Sequence, residues 1–200
     1  TMPHKMHEAD GSGDRDVPWT QDERYYFAYG SNMNEQQLQS RGVKPLAVAV
    51  AKLSDHRISF HGYSKTWDGA IETVVAEPGR DVWGVIYTLR FSDAERLDYW
   101  QDVRLDGTGA YFLFPAVVTD TEGAQHHVLL YKKDILESKE KPSQEYLAFI
   151  AQGAFERGLP AHYIEELRGM DSKKAAYEVP MPSKLDGPVL VGSSCSGCEE

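Results

Sequence analysis

The chain has 200 residues, 41% of them hydrophobic and 26% charged, with a formal net charge of −10. That balance suits one soluble globular domain whose core is large enough to stand without disulfides, and it argues against a surface that tracks nucleic-acid phosphates. No apolar run reaches the about 18 residues that a membrane-spanning helix needs.

The opening stretch TMPHKMHEADGSGDRD is polar and carries no signal-peptide pattern, so a cytoplasmic location is expected. Residues 1–24 read as a flexible N-terminal segment. A strand is predicted over 25–29, and the chain then bends at Gly30. Asn32-x-x-Glu35 resembles a capping box that opens a helix over 33–40. Strands follow at 46–53 and 57–60, with Ser54-Asp55 between them. Another, over 71–76, runs into the turn signal Glu77-Pro78-Gly79, from which VWGVIYTL (82–89) returns. Ser92-x-x-Glu95 is a second capping box and opens a helix to about Asp102. Residues 111–118 and 127–131 flank TDTEGAQ as a hairpin. Ser143 caps a helix over 144–157, Gly158 ends it, and Pro160 starts another to about Arg168. Residues 180–200 read as a tail, which leaves 25–179 as the working domain. The predicted class is α+β: a small mixed, mostly antiparallel β-barrel or sheet with flanking α-helices.

Two features carry chemistry. The bend after the first strand, YFAYGSN, places backbone N–H groups at a helix start. Such donors have no partner inside the helix and form a seat for negative charge. Gly30 lets a ligand approach the main chain closely, and Ser31 and Asn32 can cap the helix or bind a carboxylate. The second feature is AERLDYWQDV. Ala94, Leu97 and Gln101 share one helical stripe, so Gln101 is expected to point toward an apolar interior, where its amide needs partners. The rest of the chain offers less. His126 and His127 are adjacent on a strand, face opposite sides and cannot chelate together. Cys195 and Cys198, the two cysteines, sit in a Ser/Gly tail with no second pair to complete a zinc site. No metal, cofactor or nucleotide is expected.

Several stretches in order resemble the gamma-glutamylcyclotransferases: YFAYGSNM (26–33), TWDGAIETV (66–74), DVWGVIYTL (81–89), LDYWQDV (97–103), TGAYFLFPAVV (108–118) and PSQEYLAFIAQGAFERGLPAHYIEELR (142–168). The resemblance implies a small mixed barrel and closure of a gamma-glutamyl group to 5-oxoproline, with release of the amine it was attached to. It implies a substrate-binding set made of Tyr26, Phe27, Ala28, Tyr29, Gly30, Ser31 and Asn32, with Tyr111 and Tyr146. The expected partner is a small gamma-glutamyl compound: a dipeptide, or a larger glutathione-derived conjugate of sulfur natural-product biosynthesis. No nucleic acid and no membrane are expected, and a homodimer is left open. The substrate's own α-amine attacks its γ-carbonyl, so no protein nucleophile is needed, and orientation does much of the work.

One position departs from the resemblance. The family pattern places a catalytic Glu where this chain has Gln101, and an amide cannot take a proton. Three explanations stay open. A deliberate Glu-to-Gln replacement, the expected case, would hold substrate without turnover and leave this chain impaired. A natural binding module would have lost the activity. Or a different acid supplies the base, with Asp102 turned about 100° away on the helix and Glu72 as the reserve acid.

Overall fold

The computed structural model describes residues 16–137 and 140–180, so the Cys195/Cys198 tail lies outside the described residues. Among these are five strands: β1 (Glu23–Ala28), β2 (Ala47–Ser64), β3 (Gly69–Arg90), β4 (Phe112–Asp120) and β5 (Gln125–Lys132). Four α-helices flank them: α1 (Glu35–Ser40), α2 (Phe91–Trp100), α3 (Gln144–Glu156) and α4 (Ala161–Arg168). The strands close into a barrel in the order β1-β3-β2-β4-β5. Every neighbouring pair is antiparallel except the closing one, where β5 runs parallel to β1 at Leu129 and Tyr26. This is the mixed, mostly antiparallel barrel that the strand pattern predicts, and closure leaves no long unpaired edge.

Two predicted breaks are not chain reversals. Strands 46–53 and 57–60 are one strand, β2, and residues 71–89 lie within one strand, β3. Ser54-Asp55 and Glu77-Pro78-Gly79 face each other across a register shift, where Ser54 pairs with Asp81 and His56 with Ala76. Asp55 and Gly79 both take positive φ, and the Asp55 carboxylate accepts the Gly79 N–H at 2.9 Å. The turn chemistry is real, but it builds a bulge in a continuing ladder, because β2 and β3 keep pairing on both sides of it.

Two predicted caps also move. Asn34, not Asn32, caps α1 by accepting the Gln36 N–H at 3.1 Å, and Ser31–Met33 form a single 3₁₀ turn before it. Helix α2 starts one residue ahead of Ser92, with Arg90 at its cap and no side-chain cap bond. The Ser143 prediction matches: its hydroxyl accepts the Tyr146 N–H at 3.2 Å.

The core is one cluster that includes Phe27, Val74, Val85, Tyr87, Leu89, Leu97, Val118, Leu130, Ile150 and Leu167. Gly84, within β3, marks a close approach in it. A Cβ there would land on the Ala28 carbonyl oxygen and within 2.8 Å of the Phe27 ring. The β1–β3 ladder ends beside it, at Ala28 and Val85, and only a residue without a side chain lets the two backbones and the Phe27 ring fit. The replacement G84A should therefore destabilise the barrel by about 1–3 kcal/mol through overpacking, read as a lower midpoint in urea unfolding.

Candidate active site

The site is assembled where β1 ends. The bend at Gly30 is pinned from three directions. The Tyr87 hydroxyl donates to the Asn32 carbonyl at 2.8 Å, Arg157 Nε donates to the Met33 carbonyl at 3.1 Å, and Tyr87 lies under the Arg157 guanidinium at 5.3 Å. Asn34 Nδ2 reaches the Phe149 carbonyl on α3 at 3.5 Å. The bend is thus held as part of the core.

A hollow of about 220 Å³ opens beside it. Its walls come from separate parts of the chain: Ser31 from the bend, Gln37 from α1 and Arg41 from its C-terminal cap, Glu72 from β3, Gln101 from the end of α2, and Tyr111 and Tyr146 from the segments before β4 and within α3. Gln101 is half-buried. It stands at the C-terminal cap of α2 and turns into this polar hollow, whereas the Ala94–Leu97 stripe enters the apolar core. Its oxygen accepts Arg41 Nη1 at 2.7 Å, and the same nitrogen donates to Asn32 Oδ1 at 2.9 Å. Gln37 Nε2 completes the network with bonds to Ser31 Oγ at 2.8 Å and Asn32 Oδ1 at 2.9 Å.

The seat for negative charge predicted at the bend exists, but the protein's own carboxylate fills it. Glu72 is buried, with 6% of its surface exposed. Its Oε1 accepts the Ser31 N–H at 3.1 Å, and its Oε2 accepts the Tyr146 hydroxyl at 2.5 Å. A Cβ on Gly30 would overlap this carboxylate, so the glycine serves Glu72 in the way expected for a bound ligand. The Tyr111 hydroxyl donates to the Glu72 carbonyl at 2.6 Å. Burial, and then the Glu72 charge, push both the Tyr111 and Tyr146 phenols well above their ordinary pKa, so both remain donors. Burial pulls the Arg41 guanidinium down, and Glu72 is among the groups that oppose this.

Not every expected site residue faces the hollow. Tyr26 stacks on Tyr131 at 5.4 Å and donates to Asp98 at 2.9 Å. Phe27 and Ala28 belong to the core, and the Tyr29 hydroxyl is taken by the Tyr131 carbonyl. A strand alternates its side chains, yet in a closed barrel wrapped by helices both faces of β1 are covered, so these four residues shape the bend from behind. Of the bend, Ser31 lines the hollow itself and Asn32 acts through its bonds to Gln37 and Arg41. Asp102 lines the hollow as well, but its two oxygens are held by Arg104 at 3.0 Å and the Ala110 N–H at 3.0 Å. The Ala110 bond and then Arg104 keep it below the usual carboxylate range. His126 pairs with Asp120 at 2.7 Å, away from the hollow. The described residues hold no cluster of metal-ligating side chains and no helix long and apolar enough to cross a membrane.

Sequence reasoning missed Gln37 and Arg41. The signal was available: two polar residues four apart, one in the helix after the bend and one at its C-terminal cap, share one face and turn it to the same place.

Residues 81–167 match the family model described as the AIG2-like family. Human gamma-glutamylcyclotransferase is 33% identical over 165 residues, which cover 80% of this chain and 86% of that protein. Mouse gamma-glutamylcyclotransferase is 30% identical over 173 residues, covering 84% and 89%. A solved structure of a gamma-glutamyl cyclotransferase superposes with a TM-score of 0.70 at 32% identity, over 78% of this chain and 93% of that one.

The contact of Glu72 with Gly30 is open to a double-mutant cycle. The change G30A alone should lower stability by about 1–3 kcal/mol, because the new methyl strikes a held carboxylate. Combined with E72A, the added cost of G30A should largely vanish, a non-additivity that thermal melts of the four proteins would reveal.

Proposed function

The chain belongs to the gamma-glutamylcyclotransferase family, and from that premise we propose that the hollow beside Gly30 binds a gamma-glutamyl group and closes it to 5-oxoproline. The observation that carries this reading is the convergence of Ser31, Gln101, Tyr111 and Tyr146 on one hollow. Those positions come from four segments that the sequence resemblance singled out separately. The walls are polar where a glutamyl group is polar, and they include tyrosine hydroxyls, a guanidinium and an amide.

The reaction suits such a site. The α-nitrogen and the γ-carbonyl belong to one molecule, so a cradle that holds them together supplies much of the acceleration. What the protein must add is a proton acceptor for the α-nitrogen and donors for the oxygen that becomes negative. Gln101 closes the first role at its own position, because an amide takes no proton. It suits the second. Arg41 has only donors, so the Gln101 oxygen must face it, and the amide Nε2 is then left to donate.

At about 220 Å³ the hollow is smaller than the about 300–1,000 Å³ of drug-sized sites. It fits the glutamyl part of a substrate and leaves the departing amine at the rim. Trp100 stands there, 52% exposed, with Tyr99 beside it at 78%. A gamma-glutamyl dipeptide and a larger glutathione-derived conjugate both meet these limits, the second with more contact to the two rings.

A second reading has its own support. Gln101 at the family's base position favours a module that binds gamma-glutamyl compounds without turning them over. One experiment separates the two: 5-oxoproline release and the ligand-induced rise in melting temperature, measured for the chain and for Q101E with gamma-glutamyl-alanine and a bulky glutathione S-conjugate. We expect release by the chain and slower release by Q101E, whose carboxylate cannot donate to the oxygen that becomes negative; release by Q101E alone would instead mark residue 101 as the position of a lost base. A thermal shift without release by either protein would identify the binding module. Neither a shift nor release would overturn both readings.

A further inference from the structure

Two carboxylates line the hollow, and they differ in burial and in the charge beside them. Asp102 is half-exposed and its charge is already met by the Arg104 guanidinium at 3.0 Å. Glu72 accepts one hydrogen bond at each oxygen. A carboxylate oxygen has two acceptor sites, so Glu72 keeps one on each oxygen for a ligand. It is buried, and its two partners both hold it in place at the wall.

The opposite charge in the hollow is Arg41. It makes no ion pair with Glu72, and its hydrogen bonds to other side chains among the described residues run from Nη1 alone. Its remaining N–H groups have no partner there. Its guanidinium carbon lies 5.8 Å from the centre of the Trp100 ring. The hollow thus presents a fixed negative group and a fixed positive group that do not neutralise each other. A ligand that satisfies both is a zwitterion, and the α-carbon of a gamma-glutamyl compound carries one.

Resting on the proposed gamma-glutamyl reading, we infer that Arg41 binds the substrate's α-carboxylate while Glu72 binds its α-ammonium and takes the proton that frees the amine. In the first step the α-nitrogen loses a proton to Glu72 and its lone pair forms the bond to the γ-carbon. The carbonyl π electrons move to the oxygen, toward the Gln101 amide. In the second step the carbon–oxygen double bond re-forms and the bond to the departing nitrogen breaks, its electrons leaving with that nitrogen. The α-nitrogen gives up two protons in all and the departing nitrogen gains two. Glu72 relays them and ends as it began, and no further reactant is consumed. The Ser31 N–H and the Tyr146 hydroxyl keep the carboxylate aimed throughout.

The test compares the full chain with E72Q on gamma-glutamyl-alanine and on glutaryl-alanine, which keeps the carboxylate and lacks the α-amine. We expect E72Q to lose about 10²–10⁴-fold in kcat, the range of a general base. We expect the chain to bind gamma-glutamyl-alanine more tightly than glutaryl-alanine, and E72Q to lose that preference. Melting curves report whether E72Q is folded. Should it not fold, E72D takes its place, with a partial fall in kcat and the amine preference kept. Unchanged turnover by a folded E72Q overturns the inference and leaves the function standing. Binding without turnover by the chain overturns the base assignment and supports the binding module. No binding of either compound by the chain removes the gamma-glutamyl reading, and the inference with it.

Discussion

The buried carboxylate of Glu72 against the backbone of Gly30 is the contact on which the site depends. A charge with 6% exposure is costly unless it is hydrogen-bonded. Here a main-chain N–H and a phenol supply the bonds, and both belong to rigid parts of the fold. The absence of a side chain at residue 30 lets the carboxylate lie flat on the main chain. Its charge then acts on its neighbours. It adds to burial in raising Tyr111 and Tyr146, and it opposes the effect of burial on Arg41. Burial and this one carboxylate therefore act together on the hollow's main polar groups.

The barrel brings that carboxylate to the bend. Glu72 and Gly30 are 42 positions apart, and β3 places them side by side because its second half pairs with β1 while its first half carries Glu72. Had Glu77-Pro78-Gly79 reversed the chain, residue 72 would lie on a separate hairpin. The bulge instead lets one strand run from Glu72 at the site to its ladder with β1. Helix α2 then sends Gln101 to the same hollow, and α3 adds Tyr146. Trp67, buried between Tyr146 and Phe149 with ring centres at 4.8 Å from each, fixes the tyrosine that holds Glu72.

Much of the fold was legible. The apolar strand at 82–89, the hairpin around TDTEGAQ and the Ser143 cap are local signals, and local signals survive into the structure. Where the reading slipped, a tertiary contact outweighed a local preference. Asn32 has the spacing of a cap, yet its side chain is held by Gln37 and Arg41, and the cap passes to Asn34. Tyr26 to Tyr29 belong to the conspicuous motif, but a closed barrel turns them into supports behind the bend.

The sequence by itself determined the kinds of group available: a glycine bend with free N–H donors, an amide where the family pattern has an acid, tyrosines at the right order along the chain, and a strand-rich domain to hold them. Which of these meet was decided by the tertiary structure alone. Whether Glu72 faces solvent, core or hollow depends on the register of β3 against β1 and β2, and register is a property of paired strands, not of either strand alone. Arg41 and Gln101 become partners for the same reason. Their separation of 60 positions is closed only when α1 and the end of α2 are set on one side of the barrel.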